Sequence, residues 1–274
     1  MSRLAPFHAR SLLPPDWVLG ARALQAQLDP LAPWLLLVLL MLTAAALYRR
    51  WRHTAPLPGS PPPPIDWALA VALVAAGAAA FALLAWQVTL GADSALAGWD
   101  RAAANTAAGL ADVLPRQAIV WISDAGDMLV LTGVALLVAL ALLWQGQRFT
   151  AAVWLLAVLG NSLLVRVLKH AVERTRPPQA SDLLVSGFSF PSGHAAGAML
   201  VYGLLTWLVA VRAAPGRRAA VALLGAGAVA VIAASRVLLG VHYLSDVLGG
   251  LLLGALSLLV AAAVIGHDRH RRPA

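Results

Sequence analysis

The chain has 274 residues, 61% hydrophobic and 12% charged, with a mean hydropathy of +0.79. That balance excludes a soluble globular protein, which is about half apolar and about a quarter charged, and it excludes disorder, which needs too little apolar surface rather than too much. Lys and Arg outnumber Asp and Glu by 20 to 12, a net charge of +8; on so apolar a chain this points to anionic lipid and to loops held on the inner side of a membrane.

A helix crosses the hydrocarbon layer with about 20 mostly apolar residues, in a working range of roughly 17–25. Seven segments reach or approach that length: Leu31–Tyr48, Trp67–Leu90, Met128–Trp144, Ala151–Leu168, Ala195–Val211, Ala220–Ser235 and Val247–Gly266. Pro30 and Pro33 weaken the start of the first, and the sixth is expected to run a few residues past Ser235. None reads as a removable signal peptide, because Pro6, His8, Arg10, Pro14, Pro15 and Asp16 leave no early apolar core. Between the first two lies the Pro-rich stretch Thr54–Pro64, a stiff, extended linker. The expected fold is therefore all-α, a polytopic membrane helical bundle. Residues 1–64 form an N-terminal extension with one transmembrane helix, 65–266 a six-helix body and 267–274 a basic tail. Gly250 and Gly254 make a GxxxG pair, read as ordinary helix packing.

Loop charges set the orientation. Arg49, Arg50 and Arg52, then Arg148, then Arg212, Arg217 and Arg218, then Arg269, Arg271 and Arg272 all fall on one side, assigned to the cytoplasm. Segments 91–127, 169–194 and 236–246 then face outward, with Arg101, Arg116 and Arg174 against the bias.

The remaining polarity gathers in two places. One holds Lys169, Arg176 and Pro177, followed by Pro191-Ser192-Gly193-His194; the other runs from Ser235-Arg236 to His242 and Asp246. Two crossings separate them, so parity puts both at one membrane face. Lys169, Arg176 and Arg236 bring three cations to an apolar boundary, where uncompensated charge is costly. Asp246 and Glu173 cannot neutralise all three, and an anionic ligand is the simplest counter-charge. Arg binds phosphate through paired donors and Lys binds it as a point charge. Pro191-Ser192-Gly193-His194 opens a helical run whose free N–H groups and positive dipole end favour an anion. His242 and Asp246, four apart, share one face of a helical turn. A carboxylate accepting from one imidazole nitrogen leaves the other as a lone-pair nucleophile. His194, beside the anion cradle, stands where a general acid for a leaving oxygen is needed. The chain has no Cys, which removes disulfides, thiolate metal sites and Cys nucleophiles together. These residues describe phosphoryl transfer in which cations take the charge-neutralising role Mg²⁺ often plays, so no metal or cofactor is called for.

Lys169-x6-Arg176-Pro177, Pro191-Ser192-Gly193-His194 and Ser235-Arg236-x5-His242-x3-Asp246 together resemble the three-part signature of the type-2 phosphatidic acid phosphatase family, membrane lipid phosphatases related to vanadium haloperoxidases. Every position is filled, in order, and linked motifs are far more specific than a single short one. The resemblance covers residues 65–266, and the added N-terminal span departs from the family's usual six-helix core. It implies that Lys169, Arg176 and Arg236 hold the phosphate oxygens, with Ser192 and the Gly193 backbone as further donors. It implies that His242 attacks phosphorus to give a phosphohistidine, with Asp246 orienting it. His194 would protonate the departing lipid oxygen and then help water cleave the intermediate. The family's bacterial members face the periplasm, which agrees with the loop charges and implies an integral protein of a bacterial inner membrane.

Plainer readings stand beside these. Alone, His242 and Asp246 are a structural hydrogen bond, and Lys169, like Arg166, a snorkelling interface residue. Arg174 contacts phosphate or a lipid headgroup, or only pairs with Glu173. His170 is interfacial, Asp124 and Asp127 cap a helix N-terminus, and most Trp residues are interface anchors. The loop Gln179–Phe190, with Ser186, Gly187 and two Phe, is expected to cover the pocket. The sequence thus reads as a membrane phosphatase acting on a lipid phosphate or diphosphate. Its partners are the bilayer and that lipid, not nucleic acid. Undecaprenyl diphosphate, phosphatidate, phosphatidylglycerophosphate and a lipid A phosphate all fit. The rivals are a phosphotransferase using the same intermediate, a non-enzymatic anionic-lipid transporter and a haloperoxidase; known haloperoxidases are soluble, a poor match to these spans.

Overall fold

Inside a bilayer a long apolar run can satisfy its backbone N–H and C=O groups by coiling into a helix. In a computed structural model of the chain the described elements are all helical. The structure describes residues 67–91, 94, 96–178, 180, 187–213 and 215–271. The expected first crossing at 31–48, the Pro-rich linker and the rest of the extension 1–64 lie outside the described residues.

The helices are α1 (Trp67–Thr89), α2 (Leu96–Ala111), α3 (Arg116–Asp124), α4 (Met128–Trp144), α5 (Arg148–Val172), α6 (Gly193–Ala210), α7 (Pro215–Leu238) and α8 (Leu244–Arg271). Among the described residues α1, α5, α6, α7 and α8 are each long and apolar enough to cross a membrane. The pair α3 and α4, bent by 44° at a short break, makes a sixth if it is one span. Five of the six crossings expected in the body therefore have a helix of spanning length, the sixth depends on α3 and α4 acting as one, and α7 does continue past Ser235, to Leu238. The two short helices α2 and α3 were not foreseen. They lie in segment 91–127, where 16 and 9 residues interrupted by Asp100, Arg101 and Arg116 are too short and too polar to span.

Helix α6 is central. α8 and α7 pack along it, α5 and α4 lie on its remaining sides, and α1 packs against α8. Between helices in lipid there is little hydrophobic drive, so close approach through small residues carries the packing. A side chain at Gly250 of α8 would strike the Ser192 carbonyl, and one at Gly254 would lie 2.8 Å from Met199 Cβ. The GxxxG pair is thus a packing seam between α8 and α6. Polar groups within the bundle pair with each other: the Trp154 indole donates to the Ala135 carbonyl at 2.9 Å, and the Ser257 hydroxyl to Asn161 Oδ1 at 3.1 Å. Leu136, Leu137 and Leu140 of α4 and Leu223 and Leu224 of α7 point outward, a pattern suited to lipid and unsuited to water.

Candidate active site

Three parts of the chain converge at one end of the bundle: the turn from α7 to α8, the described residues on either side of the α5–α6 connection, and α2 with α3. The first is built by a helix stop. Gly240 adopts φ +65°, its N–H donates to the Val237 carbonyl, and the Val241 N–H to the Arg236 carbonyl. This is the paired hydrogen-bonding pattern that ends a helix with glycine in the left-handed region, where a β-carbon is disfavoured. It delivers His242 just before α8, with the His242 N–H also bound to the Arg236 carbonyl at 3.3 Å. His242 itself lies in the turn and Asp246 in the first turn of α8, so the four-residue spacing works across a helix start rather than within a helix.

The Nδ1 of His242 faces Asp246 Oδ2 at 3.4 Å and Ser189 Oγ at 3.3 Å. Ser189 Oγ also donates to Asp246 Oδ2, which accepts the Tyr243 N–H at 2.9 Å. The opposite ring nitrogen, Nε2, lies 3.3 Å from an Arg176 η-nitrogen. Burial outweighs the pull of Asp246 and lowers the His242 imidazole to about 4. The ring is therefore neutral near pH 7, with one nitrogen turned to the carboxylate and the other to the cations.

The cations are held mainly by neutral acceptors. Lys169, in the last turn of α5, donates to the Phe188 carbonyl and lies 3.5 Å from that of Ser189. Arg176 donates through Nε to the Gly187 carbonyl and through an η-nitrogen to the Val241 carbonyl, both at 2.9 Å. Burial draws its guanidinium below the ordinary value, against the pull of Asp246. Arg236, near the end of α7, donates to Ser123 Oγ of α3, and its Nε is buried without a partner among the described residues. Ser192 is likewise fully buried, and among the described residues its Oγ makes neither a cap bond nor any other. Gly193 is the first residue of α6, so its N–H is among the donors that the helix itself cannot satisfy. The Ser192 N–H is tied to the Asp246 carbonyl at 2.9 Å, which ties the start of α6 to that of α8.

His194, in the first turn of α6, lies against Gly126, where an added β-carbon would stand 3.2 Å from its ring, and it interacts electrostatically with Arg236 and His242. It lines a cavity of about 180 Å³ between α4, α5 and α6, whose walls include Leu131, Thr132, Val158, Val165 and Leu200. Among the described residues no group of three or more His, Cys, Asp or Glu is arranged to hold a metal ion.

Several residues behave otherwise than the sequence suggested. Arg174 does not turn to its neighbour Glu173, which occupies the left-handed cap position of α5 at φ 50°. Its guanidinium bridges Asp100 at 2.7 Å and Asp246 at 2.6 Å, bonds Ser245 Oγ at 2.7 Å and lies 4.1 Å over the Tyr243 ring. Burial opposes that charge, but the two carboxylates outweigh it and raise the group further. Phe190, expected in a loop over the pocket, is fully buried against Phe81, with ring centroids 5.6 Å apart. It is core because it packs beneath Gly249, where a β-carbon would collide with its ring. Ser186 and most of that loop lie outside the described residues. Asp127 does cap α4, accepting the Leu129 N–H at 2.8 Å. Asp100, Ser123 and Ser245 were missed. For Asp100 a signal existed, a carboxylate in an Ala-rich helix beside Trp99; for Ser123 there was none.

The segment that carries the three motifs has recognisable relatives. Residues 150–269 match the profile of the PAP2 superfamily. The chain is 36% identical over 168 residues to phosphatidylglycerophosphatase B of Bacillus subtilis (strain 168), an alignment spanning 56% of this chain and 79% of that protein. Its fold is similar, with a TM-score of 0.61 and 26% sequence identity, to the crystal structure of the first transmembrane PAP2 type phosphatidylglycerolphosphate phosphatase from Bacillus subtilis; that match covers 73% of this chain and 98% of the other.

Proposed function

Because the chain belongs to the PAP2 superfamily, we propose that this integral membrane protein is a lipid phosphate phosphatase that removes the terminal phosphate of a phosphatidylglycerophosphate-type lipid through a phosphohistidine, without a metal ion. The relatives' named activity supports that headgroup. The apolar cavity beside His194 supports a lipid, since it offers a place for a tail next to the oxygen that must leave.

In this reading Lys169, Arg176, Arg236, Ser192 and the Gly193 N–H hold the phosphate oxygens. The neutral His242 attacks phosphorus through Nε2 while Asp246 holds the proton on Nδ1. A P–N bond forms, the P–O bond to the lipid breaks, and His194 gives a proton to the departing oxygen. Water then attacks phosphorus with His194 taking its proton, the P–N bond breaks, and inorganic phosphate leaves. The fixed cations stabilise charge on the equatorial oxygens in both steps. On the loop-charge argument the site faces the periplasmic side of a bacterial inner membrane.

One observation carries the reading most: among the described residues Ser192 Oγ and Arg236 Nε are buried donors with nothing to donate to. A buried unmet polar group costs free energy, and a phosphate held by these residues would give each an acceptor. The test is phosphate release in detergent from phosphatidylglycerophosphate, phosphatidate, undecaprenyl diphosphate and a lipid A phosphate. His242→Ala should lose about 10⁴-fold or more in kcat while still inserting and folding; full residual activity removes His242 from the mechanism. Vanadate should inhibit and EDTA should not, whereas loss on chelation restored by Mg²⁺ overturns the metal-free scheme.

A further inference from the structure

We propose that Asp100 is a positioning residue for this reaction: by gripping Arg174 it fixes Asp246, and through Asp246 the ring of His242. The inference rests on the phosphohistidine reading above. Asp100 lies on α2, well before residue 150 where the family match begins, and no motif includes it.

The geometry is a chain of charged contacts with little freedom. Asp100 is 4% exposed. Its Oδ2 accepts from Arg174 and from Ser245 Oγ, both at 2.7 Å, and its Oδ1 accepts the Ser245 N–H at 2.9 Å. Asp100 therefore holds Asp246 in two ways. It binds the N-terminal turn of α8, on which Asp246 rides, and it anchors the guanidinium that binds Asp246 Oδ1. With Oδ1 committed to Arg174, Oδ2 is left to Tyr243 N, Ser189 and the His242 ring. A planar guanidinium suits this bridge because its fork can bond two carboxylates at once. The Tyr243 ring beneath it closes another direction of movement. Arg174 is thereby withheld from phosphate. A catalytic carboxylate whose own position is fixed by further hydrogen bonds holds its partner ring in the productive tautomer, and this is worth more in the transition state than in the ground state.

The experiment uses the purified full chain in detergent, with phosphate release from whichever lipid the wild type hydrolyses. Asp100→Asn preserves shape and an acceptor for the Ser245 N–H but removes the charge. It should lower kcat roughly 10- to 100-fold, the range typical of outer groups that orient a working ligand, with KM and competitive inhibition by inorganic phosphate changed by no more than about twofold. Combined with Asp246→Asn it should cost no more than Asp246→Asn alone, because both act through one carboxylate. An unchanged kcat, a raised KM at unchanged kcat, or a double variant slower by the product of the two factors would overturn the proposal. Should Asp100→Asn not accumulate as folded protein, Arg174→Lys decides. It keeps the positive charge but lacks the fork, so a lower kcat at constant KM supports the bridge, and a raised KM with weakened inhibition by inorganic phosphate puts Arg174 on phosphate and refutes it. If the wild type releases no phosphate or His242→Ala is fully active, the phosphatase reading falls first. If those controls behave and Asp100→Asn is normal, this inference alone fails.

Discussion

Four cations surround this site, and they are held in two different ways. Arg174 lies between Asp100 and Asp246, its charge met by fixed carboxylates. Lys169 and Arg236 bond to carbonyls and a hydroxyl, and among the described residues neither has a carboxylate within ion-pair distance. Arg176 is set in place by the carbonyls of Gly187 and Val241. The difference separates two jobs. A guanidinium saturated by carboxylates is fixed and its field is largely cancelled, so it can only position. A cation on neutral acceptors is aimed but keeps its field, and the cost of its partial desolvation is recovered when an anion arrives.

The contrast can be broken most forcefully at Arg236. If it binds phosphate, Arg236→Gln should lower kcat/KM roughly 100-fold, the equivalent of losing one or two hydrogen bonds to a charged group, and should weaken vanadate inhibition in step. An equal weakening of inhibition by inorganic phosphate in Arg236→Gln and Arg174→Lys would erase the distinction between the two kinds of cation. A smaller effect comes from pH. His242 is lowered to about 4, so it is neutral above that pH and gains a proton below it. The lone pair is lost as pH falls through that value, and kcat/KM should decline about tenfold per unit below it. An acid limb near 6.5, the ordinary histidine range, would show that His242 is not the buried neutral base described. The smallest effect concerns the cavity. Thr132→Trp should lower turnover of a long-chain lipid about three- to tenfold while sparing a short-chain, water-soluble phosphate, the scale of a few methylenes of lost contact. Equal loss on both substrates would detach the cavity from the tail.

Much of this was legible in the sequence because its signals are local or strictly periodic. Span length and apolar content fix where helices run, since the bilayer offers backbone groups no other partner. Gly240 foretells nothing by itself, yet its place four residues after Arg236 and two before His242 is the stop signal that turns α7 into α8. Arg174 shows where such reading ends. The sequence leaves it a choice of phosphate, a lipid headgroup or its neighbour Glu173, but Glu173 takes the left-handed cap position of α5, and the partners found lie 74 and 72 residues away. Phe190 failed for a similar reason: a residue in a polar loop was read as a cover, and a glycine on α8 gave it a core socket instead.

The sequence alone determined the helical membrane class and the motif spacings, because hydrophobic length and covalent order are properties of the chain itself. It also placed the two motif clusters at one membrane face, by counting crossings. Only the tertiary structure decided which cations are cancelled by carboxylates, that Asp100 reaches into the site, and that Ser192 Oγ and Arg236 Nε are left without partners among the described residues. Charge compensation in a bilayer depends on distances of a few ångströms between segments far apart in the chain, and no local pattern encodes those distances.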